Sequence, residues 1–210
     1  MNRHESQFNL TGRVAVVTGG NGGIGRAIAL GLARAGASVA ILARNPEKNH
    51  LVLDELRRNG SPAMASYFDA TDRTGFAPVI EQVERQLGAI DILVNNAFSP
   101  YAFDPENRKR FWETPWTDYQ TQFEGAVQAA YNVCQSVIPN MRQRVKGSII
   151  NMVSDLVYRP SIPYNDYTTA KSALVGFSRN LATELGPLGI RVNCVAPGLV
   201  SPRSEERRVG

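Results

Sequence analysis

Val14-Ala15-Val16-Val17-Thr18-Gly19-Gly20-Asn21-Gly22-Gly23-Ile24-Gly25 is a short apolar strand that runs directly into a glycine-rich turn. Glycines let the backbone bend tightly and approach a ligand closely. A helix that starts there offers unpaired N–H groups and the positive end of its dipole. Such a turn is built to hold a pyrophosphate. Gly20 to Gly25 fits the general G-x-G-x-x-G pattern, and Thr18-Gly19-x-x-x-Gly23-x-Gly25 narrows it by fixing the last strand residue. The residues expected to line the ligand are Gly19, Asn21, Gly22, Gly23, Ile24 and Gly25.

Working outward, Ile24 to Ala35 carries Ile24, Ile28 and Leu32 at helical spacing, with alanines between them. Gly36 stops that helix, and Ser38 to Ala43 reads as a buried strand. Strand, turn, helix and strand make one βαβ unit, the context that the fingerprint requires. A tight turn with no ligand is the plainer alternative. A nucleoside triphosphate is the other, but Gly25 is followed by Arg26-Ala27, so the lysine and the magnesium-holding hydroxyl of that motif are missing. A dinucleotide fits better.

The 210 residues suffice for one well-buried domain, expected over 1–200, with 201–210 as an atypical polar tail. No apolar run approaches the roughly 20 residues that span a bilayer. Met1 to Gln7 has no apolar core, so it does not read as a secretory signal, and a cytoplasmic location is expected. Cys134 and Cys194 are predicted to be reduced packing residues, and His4 and His50 to be solvated, which leaves no metal site. The net charge is +4, yet no basic stripe with interleaved aromatics occurs, and Arg108-Lys109-Arg110 reads as a solvated loop. Neither a nucleic-acid nor a membrane partner is expected.

The alternation continues downstream. Helices are predicted over Pro46 to Asn59, Arg73 to Leu87, Tyr119 to Arg144 (weakened near Pro139) and Tyr164 to Leu185. Strands are predicted over Ala63 to Phe68, Ile90 to Val94, Ser148 to Val153 and Ile190 to Val195. A long loop to about Pro115 carries Tyr101, Phe103, Phe111 and Trp112. This pattern predicts an α/β fold, a doubly wound parallel sheet of Rossmann type with both faces covered. Right-handed crossovers put the glycine turn, Asn95-Asn96-Ala97, Ser154 and Pro197-Gly198 at the carboxyl edge, where ligands bind.

Tyr167 and Lys171 stand four apart on one helical face. A tyrosine hydroxyl titrates near pH 10, and a neighbouring ammonium is expected to lower that value into a useful range. Tyr167 would then exchange a proton with a carbonyl or alcohol oxygen. Ser154, just past a strand on the ligand edge, would hydrogen-bond the same oxygen. A nucleophilic serine is disfavoured, since no G-x-S-x-G elbow is present.

Taken together, Thr18-Gly19-x-x-x-Gly23-x-Gly25, Asp69, Asn95-Asn96-Ala97, Ser154, Tyr167-x-x-x-Lys171 and Pro197-Gly198 resemble the short-chain dehydrogenase/reductase family. The likeness covers about Leu10 to Val200 and is nearest the 3-oxoacyl-(acyl carrier protein) reductase-like branch. It implies hydride transfer with a nicotinamide cofactor and a small carbonyl or alcohol as substrate. Tyr167 would be the general acid/base, Lys171 would hold the ribose and Ser154 would orient the carbonyl. Asp69-Ala70 would sit by the adenine, Asn96-Ala97 along the cofactor, and Pro197-Gly198 beside the nicotinamide. It also implies a homo-oligomer built on the two long helices.

Three departures stand out. Phe98 follows Asn95-Asn96-Ala97 where the family usually has glycine, and Ala126 falls where the family has a catalytic asparagine. After Leu199-Val200 the family usually continues into a covering helix and a seventh strand, whereas Ser201 to Gly210 reads as a truncation or foreign junction. A sheet of six strands with an exposed edge at Ile190 to Val195 is therefore expected, and the alternative to an enzyme is a catalytically impaired, truncated cofactor-binding protein. NAD-selective sites carry an acid at the end of the second strand. Here Ala43 and Arg44 stand there, and Arg44 could pair with a 2′-phosphate, so NADP(H) is favoured with NAD(H) still open.

Overall fold

The computed structural model describes residues 8–72 and 75–200. The leader with His4, the proposed helix start at Arg73 and the tail from Ser201 lie outside the described residues. Six strands form one sheet: β1 (Val14–Thr18), β2 (Ser38–Ala43), β3 (Ala63–Tyr67), β4 (Ile90–Asn95), β5 (Gly147–Met152) and β6 (Ile190–Val195). Their order is β3-β2-β1-β4-β5-β6 and every pairing is parallel. The sequence of strands doubles back between β1 and β4, which makes that junction the switch point where doubly wound sheets bind ligands. Among the described residues β6 pairs only with β5, as an edge strand that buries Ile190 and Val192 and leaves Val195 exposed.

Alternation along β1 organises the two faces. Val14 and Val16 pack with Ile80 and Val83 of α3 (Phe76–Leu87) and Val133, Val137 and Met141 of α5 (Ala129–Gln143). Ala15 and Val17 pack with Ala29, Leu30 and Ala33 of α1 (Gly23–Arg34) and Val52 and Leu56 of α2 (Pro46–Arg58). A strand buried on both sides has no polar face, hence the continuous apolar run. The start of α2 is written locally: Asn45 accepts from Lys48 N, and Pro46 opens the helix.

Two expectations about helices need correction. In α1 the buried residues are Gly25, Ala29, Leu30 and Ala33, while Ile24 is exposed and Ile28 and Leu32 are only half-buried. Close packing on the sheet selects the small side chains, a preference that apolar periodicity does not reveal. The long helix expected from Tyr119 is α4 (Trp116–Phe123), a wide π turn over Glu124–Gln128, and then α5. The irregularity is at that turn, and α5 continues through Pro139. The turn presses Gly125 against the loop that follows β4, where a Cβ would lie 2.2 Å from Ser99 Oγ. The remaining helix, α6 (Asn165–Leu185), starts one residue past Tyr164.

At the amino edge of the sheet the buried Asp91 carboxylate accepts from Val14 N at 3.2 Å and faces Arg13, Arg144 and Lys146 at 3.5, 3.2 and 3.3 Å. Arg144 caps α5, and Val145 after it has φ 51°, a left-handed conformation costly for a β-branched residue. Val145 is 61% exposed, so little packing offsets that cost. Val145→Gly is therefore expected to stabilise the fold by about 1 kcal/mol. A urea titration should show a higher midpoint at unchanged m-value, and a lower midpoint would contradict this account.

Candidate active site

The carboxyl ends of β1 and β4 are tied by one side chain. Thr18 Oγ1 accepts from Asn96 N at 3.0 Å and Ala97 N at 3.1 Å. Asn96 answers from the other side, its Nδ2 donating to Thr18 O at 3.1 Å and Gly19 O at 3.2 Å. Gly25 packs directly beneath, where a Cβ would lie 2.1 Å from Gly19 O. Only glycine fits there. Gly22 and Gly23, by contrast, have open space where a Cβ would project.

That open space belongs to a cleft of about 820 Å³ lined by Gly19, Asn21, Gly22, Gly23, Ile24, Gly25, Arg44, Asp69, Ala70, Asn96 and Ala97. Each was expected from the sequence. The cleft also takes in Lys48, Phe98 and Ser99. Gly22 caps α1 without a side-chain hydrogen bond of its own, and Gly22, Gly23 and Ile24 line the cleft at the positive end of that helix dipole. At the other end Asp69 accepts from Thr71 N at 2.9 Å and Thr71 Oγ1 at 2.7 Å. Those bonds, with the Arg44 charge, hold its carboxyl below the usual carboxylate range despite its burial. Volume, glycine turn and a cationic far end fit an elongated, doubly phosphorylated ligand.

Asn49 was not foreseen. It is buried on α2, donates to Ala43 O at 2.9 Å and Ser66 O at 3.2 Å, and accepts from Asn21 Nδ2 at 2.8 Å. It thereby fixes the glycine turn to the ends of β2 and β3. An asparagine in a polar helix gives no sequence signal for such a long-range role.

Ser154, Tyr167 and Lys171 are brought together beyond this cleft, all buried, and none of them lines it. Ser154 Oγ accepts from Leu156 N at 3.3 Å and donates to Asp155 Oδ1 at 3.5 Å, and its hydroxyl stands near enough to the Tyr167 phenol to act on its pKa. Lys171 Nζ donates to Met152 O at 2.7 Å and lies 5.8 Å from the Tyr167 ring centroid. The expected lowering of the tyrosine is not found. Burial pushes the Tyr167 hydroxyl above its ordinary value, with the Ser154 hydroxyl acting downward and Asp155 upward. Burial is also what lowers Lys171, to about 8. The two share a helix face as predicted, but the ammonium is directed to a backbone carbonyl.

Pro197 and Gly198 also stand outside the cleft and pack on Asp155, which donates from its backbone N to Pro197 O at 3.1 Å. On the other side, the loop after β4 folds over Tyr167. Phe98, Tyr101 and Phe103 place ring centroids 6.5, 5.2 and 5.0 Å from that of Tyr167. Their meeting with α6 joins segments far apart in sequence, which no local pattern announces.

Comparison with known proteins agrees with this geometry. The family model described as short chain dehydrogenase matches residues 13–208. A short chain dehydrogenase from Pseudocercospora fijiensis is 33% identical over 198 residues, 92% of this chain and 62% of that protein. The chain thus spans about three fifths of that relative. A 3-oxoacyl-[acyl-carrier-protein] reductase from Escherichia coli is 33% identical over 209 residues, 97% of this chain and 82% of the relative. The solved L-sorbose reductase from Gluconobacter frateurii, complexed with NADPH and L-sorbose, superposes with a TM-score of 0.85 at 34% identity. That match covers 93% of this chain and 73% of the reductase.

The chain belongs to the short-chain dehydrogenase family. The family is one of NAD(P)-dependent oxidoreductases, and this chain shares its fold with the solved L-sorbose reductase. Among its described residues no helix is long and apolar enough to cross a membrane.

The buried Lys171 yields a pH test. Lys171 titrates at about 8 in the fold against 10.5 for an unperturbed lysine. Below the folded value both folded and unfolded chains carry the ammonium, and the fold bears the full cost of burying it. Between the two values only the unfolded chain keeps the proton, so stability rises with pH across that window. Lys171→Met removes the charge, and is expected to stabilise the ligand-free protein at pH 7 by up to about 3 kcal/mol. The advantage should shrink toward zero near pH 10.5. Thermal melts at pH 7 and pH 10 check it, and a gap that widens with pH would overturn the reading.

Proposed function

We propose that this short-chain dehydrogenase interconverts a carbonyl and an alcohol, with Tyr167 as the general acid/base. The observation that carries the reading is the buried cluster of Ser154, Tyr167 and Lys171, with Phe98 between it and a cleft that suits a dinucleotide. Bound in that cleft, a nicotinamide cofactor would supply or accept the hydride. Tyr167 gives its hydroxyl proton to the carbonyl oxygen in reduction and takes it back in oxidation. Its upward-shifted pKa keeps the phenol protonated at neutral pH, which suits the acid role. Ser154 donates to the same oxygen and holds it beside the phenol. Lys171, anchored on Met152 O, brings an ammonium near the ring and offers its remaining hydrogens to a ribose hydroxyl.

NADP(H) is the favoured cofactor. Ala43 ends β2 where an acid would repel a 2′-phosphate, and Arg44 and Lys48 line that part of the cleft. The same reading includes a cytoplasmic homo-oligomer paired through the faces of α5 and α6. A second reading, a cofactor-binding protein of low catalytic power, is favoured by one observation. Ala126, buried in the π turn, offers no polar side chain where the family has its asparagine.

Tyr167→Phe should reduce turnover by at least about a hundredfold. The dissociation constant for the dinucleotide should stay within about threefold, because only the ionisable oxygen is lost. Arg44→Ala should weaken NADP(H) by about tenfold and leave NAD(H) nearly unchanged. Cofactor titrations run alongside steady-state rates on a panel of ketones and alcohols check both expectations. Substantial activity in Tyr167→Phe would sink the catalytic assignment, and tighter NAD(H) than NADP(H) in the unaltered protein would sink the cofactor preference. Tight cofactor binding with no turnover of any substrate would favour the second reading.

A further inference from the structure

Rings pack around Tyr167. Tyr101 and Phe103 stand 5.0 Å apart, and each also touches Tyr164, at 5.6 and 5.5 Å. Phe98 bridges to the lysine, with Lys171 Nζ 5.5 Å from its ring centroid. The one polar side-chain atom on these three loop residues is the Tyr101 hydroxyl, and it donates to Asp166 Oδ1 at 2.7 Å. Asp166 is itself buried and adjacent to Tyr167. Tyr101 is therefore pinned, and burial together with that carboxylate pushes its own hydroxyl pKa upward, which keeps it a donor. Tyr167 itself is only 9% exposed. A carbonyl that reaches its hydroxyl must exchange contacts with this wall.

We propose that Phe98, Tyr101 and Phe103 determine specificity, selecting ketones and alcohols whose reacting carbon lies in or beside a compact apolar ring, and rejecting open-chain polyhydroxylated substrates. The assignment rests on the hydride-transfer reading above and deepens it. A compact apolar ring replaces the apolar contacts it displaces. A polyol brings hydroxyls to a wall whose only polar atom is already engaged. Each hydroxyl left without a partner costs on the order of tenfold or more in transition-state binding. Phe98 and Phe103 are 44% and 51% exposed, so they form the outer rim of the wall and can move without unpacking the core. The selectivity expected here is opposite to that of the sorbose reductase which the fold resembles.

The test compares kcat/KM for NADPH-dependent reduction of cyclohexanone and of a fused two-ring ketone with that of L-sorbose, in the full chain. The ring ketones should exceed L-sorbose by at least about tenfold. Phe103→Ala and Tyr101→Ala should each erode that ratio several-fold, while Phe103→Leu and Tyr101→Phe should largely preserve it. A general loss of stability would move both substrates together and leave the ratio unchanged. Binding gives the independent arm. Saturation transfer from the protein's aromatic protons to cyclohexanol or to sorbitol is measured in Tyr167→Phe with dinucleotide present. Transfer to cyclohexanol alone, lost in Phe103→Ala, supports the wall even if no ketone turns over, a result that would count against the hydride-transfer reading instead. Equal or greater kcat/KM for L-sorbose overturns the inference and leaves that reading standing. Absence of transfer to either alcohol in a protein that binds dinucleotide also overturns it.

Discussion

The hydroxyl of Thr18 is the constraint on which the rest depends. It accepts the backbone N–H groups of Asn96 and Ala97 and so joins the ends of β1 and β4, the two strands between which the chain reverses its direction of growth. Asn96 returns two hydrogen bonds to the start of the glycine turn. With the turn held there, Gly25 can approach the Gly19 carbonyl closely and the first turn of α1 opens onto the cleft. The loop that leaves Ala97 is launched toward α6, where its rings meet Tyr167. A single buried hydroxyl thus relates the glycine-turn cleft to the Ser154, Tyr167 and Lys171 cluster.

Burial acts on Tyr167 and Lys171 of α6 in opposite directions. It disfavours the phenolate of Tyr167 and the ammonium of Lys171 alike, which raises one pKa and lowers the other. Both groups are thereby shifted toward their neutral forms. The carbonyl of Met152 and the hydroxyl of Ser154 then set where the remaining polarity points. A lysine placed four residues after a tyrosine does not by itself acidify it. What matters is where the ammonium is aimed, and here β5 claims it.

What could be read from the sequence divides along the range of the interactions. The glycine turn and the alternation of apolar strands with helices are local patterns, and they gave the six strands and the residues that line the cleft at the turn. The buried face of α1 was misread because Ile24, Ile28 and Leu32 are the larger residues, whereas proximity to the sheet favours Gly25, Ala29 and Ala33. The π turn before α5 answers to Ser99 on another segment, and Asn49 answers to Asn21, Ala43 and Ser66. The aromatic wall belongs to the same class. These features arise only when distant segments dock, and no period or spacing in the chain encodes them.

The strand order carries a consequence for how the site comes into being. β1, β2 and β3 pair in succession through short crossovers, but β1 meets β4 only after the whole stretch between them has been closed into a loop. Closing so long a segment is an entropic cost met before its contacts return anything, so this pairing belongs to the slow part of folding. The Thr18 clamp cannot exist before it. A partly folded chain therefore has glycines and helices but not the cleft between β1 and β4. A ligand that binds the finished cleft then stabilises the native state alone, by mass action, without helping any earlier species on the way.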